Sequence, residues 1–248
     1  METREGYFDE MYGDGSAVRG PYASYDEWLS QEDPARLMRK SAEAEALFRR
    51  TGITFNVYGD DDGDERLIPF DVVPRIISAR EWARLARGIE QRVVAINAFL
   101  HDIYHRQEIL RAGRIPLELI SENDAFLPEM IGVNPPGGVY THVVGIDLVR
   151  TGEGRWHVLE DNARTPSGVS YMLENREVMK RVFPELFSDY VIHPVDDYPS
   201  ELARCLRSLN PNATRSPQLA VLTPGIYNSA YFEHAYLANA MAAELVEG

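Results

Sequence analysis

Cysteine is almost missing from this chain: Cys205 stands alone among 248 residues, so no internal disulfide can form. It falls in an amphipathic helical stretch, where a buried and inert thiol is the ordinary outcome. Long apolar runs are missing as well. None approaches the ~20 residues that cross a bilayer, and no secretory pattern opens the chain, so a cytoplasmic protein without a membrane partner is expected. Positive charge is in short supply, with 25 Lys and Arg against 39 Asp and Glu, a formal charge of −14. A basic face for nucleic acid is therefore not expected. No glycine-rich loop ends in Lys-Ser/Thr, which excludes a P-loop, and no G-x-G-x-x-G supports a dinucleotide site. The apolar share of 44% still suffices for a sizeable core, in one large domain or parts of two.

What the chain does have is the stretch 145–171, GIDLVRTGEGRWHVLEDNARTPSGVSY. Residues 145–150 and 155–162 are short, apolar and β-branched, and Thr151-Gly152-Glu153-Gly154 between them is a turn signal, so a β-hairpin is expected. If Thr151 pairs with Gly154, Asp147 faces Val158 and Glu160 lies diagonal to Asp147. Strand alternation then puts Asp147, Glu160 and Asn162 on one face. Ile146, Leu148 and Leu159 point the other way, towards a core. A slip of one residue would scramble the arrangement. Two close carboxylates repel unless a cation neutralises them. Two carboxylates and an amide oxygen suit Mg²⁺, which takes octahedral oxygen ligands at about 2.0–2.1 Å and shares its shell with nucleotide phosphates. The competing reading is a solvated polar face with its acids in surface ion pairs.

The loop that follows, Thr165-Pro166-Ser167-Gly168, is either a plain turn or an anion cradle. In the second case backbone N–H groups face the anion and Gly168 permits close approach. Arg164 beside it suits bidentate binding of a carboxylate or phosphate. Ser167 lacks the strand–turn–helix context of a covalent nucleophile.

The spacing of Asp147, Glu160-x-Asn162 and the proline-containing loop resembles the metal-binding strand pair of ATP-grasp enzymes. The likeness extends to GITFNVYGDDDGDERLIPFDVVPR at 52–75, FLHDIYH at 99–105, VLEDNARTPSGVSYMLENR at 158–176 and TPGIYNSAYFEHAYLA at 223–238. In that order these segments are similar to the circularly permuted ATP-grasp proteins, relatives of glutathionylspermidine synthase. The resemblance covers the chain from about residue 50 to its end. It implies an α/β fold, with an ATP-grasp-like antiparallel sheet and helices followed by the start of a parallel βαβ domain. It further implies ATP and Mg²⁺ as cofactors and a carboxylate–amine ligase that forms an amide or peptide bond through an acyl phosphate. Its partners would be small-molecule or peptide carboxylates and amines. Asp147, Glu160 and Asn162 would hold the metal; Arg164, Ser167 and Gly168 would steady the acyl phosphate. In the permuted family much of the other nucleotide-holding lobe follows the point where this chain ends. The C-terminal portion of the same protein is thus a further expected partner.

Three other positions are candidates for binding the nucleotide. Arg75 ends an expected strand and either points into the cleft or forms a structural ion pair. Asn228 and Ser229 open a helix, where they either present its N-terminus to an anion or simply cap it.

Along the chain, 1–23 reads as an extended or poorly ordered arm, and 24–31 as a short helix. Asp33-Pro34 caps a helix that runs to about 50 and stops at Gly52. Strands are expected at 53–58 and 66–73, joined by GDDDGDE, a solvated turn rather than a calcium loop because the late bidentate Glu is missing. Ser78 and Glu81 form a capping box for a helix to about 110, with Gly113 as its stop. A shorter helix is expected at 116–122, a break at 135–138, a strand at 139–144, and helices at 171–183 and 197–209. After a polar link at 210–217 come a buried-type strand at 218–222, a helix at 228–241 and a strand at 244–247. That opening of a parallel sheet leads to the expectation of a front portion of a longer protein, divided at 1–50, 51–209 and 210–248. His101-Asp102-x-x-His105 offers a competing chemistry, a zinc-dependent hydrolase. Asp stands where that motif has Glu, however, and no third ligand is identified among His142, His157, His193 and His234. A non-catalytic binding module is the remaining alternative.

Overall fold

Asp33 accepts a hydrogen bond from the Ala35 N–H at 2.9 Å, and Pro34 supplies a φ already suited to the first helical turn. These two residues fix the start of the second helix in a computed structural model that describes residues 8–13, 15, 17–55, 66–67, 70–210 and 217–248. Helices α1 (Ala23–Gln31) and α2 (Pro34–Thr51) follow a 3-10 turn at Gly20–Tyr22. Gly52, at φ 75°, closes α2 in the left-handed conformation that glycine tolerates. Strands β1 (Thr54–Phe55) and β2 (Arg66–Leu67) pair antiparallel, and the expected second strand does not include 70–73; residues 56–58 and 68–69 lie outside the described residues. The acidic turn at 59–65, with its calcium reading, lies outside the described residues, as does most of the 210–217 link.

The chain forms two compact units, Ile77–Pro166 and a second made of Met1–Ile76 with Ser167–Gly248. The described part of the expected N-terminal arm is folded rather than loose. Arg19 N–H bonds to the Met11 carbonyl at 2.8 Å. Met11 and Val18 pack on a core of Tyr22, Tyr25, Ala44, Phe48, Ile53, Val178, Val182, Phe183 and Leu186. Phenols at this core find partners: the buried Tyr22 hydroxyl accepts from the Ile76 N–H and the half-buried Tyr190 hydroxyl from the Tyr25 N–H, both at 2.8 Å.

In the Ile77–Pro166 unit, Ser78 Oγ accepts from the Glu81 N–H at 3.3 Å and opens α3 (Ala79–Ile103). This helix ends about two turns before the expected end near residue 110. The Asp102 carboxylate takes the N–H groups of Glu108 and Ile109, both at 2.9 Å, and so starts a separate α4 (Glu108–Arg111). Those backbone bonds hold the Asp102 carboxyl below its ordinary pKa. After α5 (Glu118–Ser121) and a 3-10 turn at Pro136–Gly138, the expected strand at 139–144 does not form. Asn97 Oδ1, from α3, accepts from the N–H groups of Tyr140 (2.7 Å) and Thr141 (3.1 Å), using donors that a ladder would need. The hairpin of β3 (Gly145–Gly152) and β4 (Arg155–Asn162) completes the unit.

The other unit resumes with α6 (Val169–Val182), α7 (Pro184–Asp189) and α8 (Tyr198–Ser208). Helix α7 was not expected; Pro184 at its first turn starts a new helix where α6 stops. Then β5 (Ala220–Thr223), α9 (Tyr231–Ala240) and β6 (Glu244–Glu247) form a βαβ unit, β5 and β6 pairing in parallel from Ala220↔Glu244 to Thr223↔Glu247. Contrary to a fully buried strand, β5 exposes 70% of Leu222. The whole is a mixed α/β fold with small antiparallel sheets. Among the described residues no helix is long and apolar enough to cross a membrane.

Candidate functional site

The hairpin register departs from the expected one twice: it is already shifted by one residue at Arg150↔Trp156, and a bulge then shifts it by one more. Leu148 pairs with Val158 and Asp147 pairs with Glu160, so Leu159 is left without a partner in a β-bulge. A bulge sets two residues of one strand against one of the other and interrupts alternation. Its effect here is specific. Continued alternation from Trp156 and Val158 would turn Glu160 to the same side as those two, and the bulge returns it to the opposite side. Asp147 and Glu160 are therefore directly opposed rather than diagonal. Leu159, expected in the core, is 69% exposed, because the bulge leaves it on the outward side.

The inward side is tied to α3. Arg150, 7% exposed, forms an ion pair with Glu81 and lies 4.5 Å from the centroid of the Trp156 ring. The indole N–H of Trp156 donates to the same Glu81 carboxylate at 2.9 Å. Near the end of β4, Arg92 binds Asp161 through two bonds of 2.6 Å. That bidentate guanidinium holds the Asp161 carboxyl below its ordinary pKa. Consecutive residues thus face opposite ways: Asp161 inward to a helix, Glu160 and Asn162 outward.

On the outward side, Asp147, Glu160 and Asn162 are all exposed. Asn162 Nδ2 donates to Glu160 Oε1 at 3.0 Å, which leaves Asn162 Oδ1 as an uncommitted oxygen. Asn162 itself pairs with Gly145. The donor set is all oxygen, carries two formal negative charges and has no basic side chain bonded to it among the described residues. Such a set fits Mg²⁺ and does not fit a thiolate- or imidazole-seeking metal.

The segment after β4 is fixed to the same unit. Thr141 Oγ1 donates to the Ala163 carbonyl at 2.5 Å, and Pro166 packs so closely on Gly145 that a Cβ there would meet Pro166 Cβ at 2.9 Å. Arg164, between these anchors, is exposed and makes no hydrogen bond or ion pair among the described residues. Ser167 is likewise exposed and belongs, with Gly168, to the other unit.

The Gly168 N–H, expected to receive a ligand anion, already meets a resident one. Glu233 of α9 accepts from it at 2.8 and 2.9 Å through its two oxygens. The same carboxylate takes the Ser170 N–H at 2.9 Å and the Ser170 hydroxyl at 2.7 Å. Glu233 is 4% exposed. Its charge adds to burial in raising the pKa values of Tyr171 and Tyr198. Sequence reasoning passed over Glu233; the available signal was a single acid inside the apolar helical run YFEHAYLANA.

Of the nucleotide candidates, Arg75 pairs with Glu10 at 3.5 Å, the structural alternative weighed for it. Asn228 Oδ1 accepts from the Ala230 N–H at 2.9 Å, a turn ahead of α9, while Ser229 is half-buried. The described residues give the zinc reading no third ligand. The rings of His101 and His105 stack with centroids 4.2 Å apart, and His105 Nδ1 bonds to the His101 carbonyl at 2.9 Å. Asp102 is occupied as a helix cap, and among the described residues no group of three His, Cys, Asp or Glu is placed to hold a metal.

Residues 74–248 match the family described as circularly permuted ATP-grasp type 2. An uncharacterised protein of Synechocystis sp. is 47% identical over 242 residues, which is 98% of this chain and 50% of that one. An uncharacterised protein of Mycobacterium tuberculosis is 49% identical over 241 residues, 97% of this chain and 43% of that one. A protein of Frankia alni named putative glutamate–cysteine ligase 2-3 is 40% identical over 243 residues, 97% of this chain and 28% of that one. The chain spans half the length or less of these relatives. Among solved structures, a glutathione synthetase-like effector of Globodera pallida, in its apo form, aligns with a TM-score of 0.51 at 14% identity. That alignment covers 88% of this chain and 51% of that one; at such identity the likeness concerns fold alone.

Proposed function

This chain belongs to the circularly permuted ATP-grasp type 2 family, and from that membership we propose that it forms part of an ATP- and Mg²⁺-dependent carboxylate–amine ligase. The observation that carries the reading is the outward hairpin face, where Asp147 opposes Glu160 and Asn162 lies alongside. In this reading Asp147, Glu160 and Asn162 hold Mg²⁺, which, when bound, neutralises charge on the nucleotide phosphates. A substrate carboxylate accepts the terminal phosphoryl group of ATP, giving an acyl phosphate and ADP. An amine nitrogen then forms a bond to the carbonyl carbon; the bond to phosphate breaks, and the amine gives up a proton. Arg164, exposed and uncommitted, steadies the anionic acyl phosphate through its planar fork. Ser167 is the loop's substrate-facing side chain, while Gly168 serves the loop's conformation. Arg75, Asn228 and Ser229 are secondary contacts for the nucleotide.

The name of the Frankia relative supports a small carboxylate as substrate class, and the motifs support kinship with glutathionylspermidine synthase. A cytoplasmic location accords with ATP as the energy source. Calorimetric titration of the protein with Mg-ATP, repeated in EDTA, tests the proposal. Binding that requires the metal is expected; ATP binding of equal strength in EDTA would refute the role given to the hairpin.

A further inference from the structure

We infer that Glu233 is the positioning residue of the 167–170 loop, acting on the substrate-facing Ser167 through the peptide that joins it to Gly168. The catalytic part of this inference rests on the ligase reading above; the structural part does not.

Gly168 stands at the N-cap of α6 with φ 101°, a conformation that glycine adopts easily and leaves as easily. It has no side chain to cap the helix, so the first N–H groups of α6 need acceptors from elsewhere. Glu233 supplies them from far along the chain, doing across the fold what the acid of a capping box does locally. Its oxygens grip Gly168 and Ser170, on both sides of Val169. The Gly168 N–H lies in the same rigid peptide plane as the Ser167 carbonyl. A fixed N–H therefore fixes the Ser167 carbonyl and Cα, the backbone from which that side chain departs.

Two further observations make this a built arrangement. Glu233 is buried yet has no basic partner among the described residues, so the helix N-terminus and three donors alone hold its charge. The next residue, His234, bonds through Nδ1 to Thr223 Oγ1 at 2.9 Å; Thr223 is 1% exposed and accepts from the Gly225 N–H at 3.2 Å. Helix α9 is thus pinned to the end of β5 at the residue adjoining the grip, and Glu233 cannot drift with the loop it holds.

The test compares Glu233→Gln and Glu233→Asp with the wild-type protein. Gln preserves volume but removes the charge and leaves one oxygen in place of two, so an NH₂ group must face at least one of the donors; Asp keeps the charge one methylene short. Three quantities are read: amide exchange at Gly168 and Ser170, the Mg-ATP dissociation constant, and phosphate release from Mg-ATP. Loss of charge-assisted bonds predicts that Gln speeds exchange at both amides by about tenfold or more. Phosphate release should fall by about tenfold with Mg-ATP affinity unchanged within about twofold, since the misdirected group touches only the transferring end. Asp should fall between the two. Wild-type phosphate release in a Gln variant with fast exchange would overturn the inference, as would parallel loss of Mg-ATP binding and thermal midpoint, the mark of a residue that only holds the fold. A wild-type protein that binds no Mg-ATP would count against the ligase reading and not against Glu233, whose role is then decided by the exchange rates alone.

Discussion

Glu160→Gln should reverse its effect on stability according to whether magnesium is present. In EDTA the direct opposition of Asp147 and Glu160 puts two carboxylates across one ladder position, where like charges cost about 0.2–1 kcal/mol. Gln keeps the oxygen that receives Asn162 Nδ2 at 3.0 Å and removes one charge. The variant should then melt at the wild-type midpoint or up to about 4 °C above it, at about 2–4 °C per kcal/mol for a chain of this size. With Mg²⁺ at 100 times its dissociation constant, wild type gains about 2.7 kcal/mol by linkage. Outer-shell changes already cost about 10–100-fold in metal affinity, so a lost carboxylate ligand should cost about 100-fold. The variant then gains only about 0.4 kcal/mol by the same linkage. The order of midpoints inverts between EDTA and Mg-ADP, read by differential scanning fluorimetry. General damage to the hairpin lowers the variant in both conditions. A variant below wild type in EDTA, or one with an undiminished magnesium shift, would refute the metal assignment.

Leu159→Ala should move the unfolding free energy by less than about 0.5 kcal/mol, the scale of surface changes, against about 2–5 kcal/mol for a core leucine; a core-sized loss in urea unfolding would mean that the bulge is wrongly placed. Burial raises the pKa of Glu174, with Arg181 opposing and Glu177 adding. An acid whose folded pKa lies above its unfolded one contributes full stability below the unfolded value and loses it as pH rises through the folded one. Glu174→Gln should accordingly raise the thermal midpoint at pH 7, with the gain vanishing below about pH 4; an equal gain at both pH values would exclude ionisation as its cause.

The parts of the fold that were legible in advance are those whose signals sit within one turn of their effect. Asp33 before Pro34, and Ser78 three residues before Glu81, start helices by local bonds. What escaped depends on side chains that borrow backbone from elsewhere. Asp102 stops α3 by bonding six and seven residues ahead, and Asn97 disarms the 139–144 strand from 43 and 44 residues away. The hairpin face was read through the wrong register. Asp147, Glu160 and Asn162 share a side because Leu159 is extruded, and nothing in the composition of RWHVLEDN marks that extrusion. Glu233 escaped because its partners lie 63 and 65 residues earlier, and a lone acid in an apolar helix names no address.

The Arg92–Asp161 clasp has a consequence for ion choice. Glu160, Asp161 and Asn162 are successive residues, so any rotation of this strand end that spreads the outward oxygens must also pull Asp161 off its guanidinium. The mouth of the outward cluster is consequently stiff, and stiffness discriminates by ionic radius. Calcium, which takes six to eight oxygens at about 2.3–2.6 Å, needs ligands that can retreat; magnesium needs them near 2.0–2.1 Å and tolerates little error. Cutting the clasp should therefore erode the preference for the smaller ion before it erodes binding itself, making an exposed arginine of α3 the gauge of the proposed site on the other face of the hairpin.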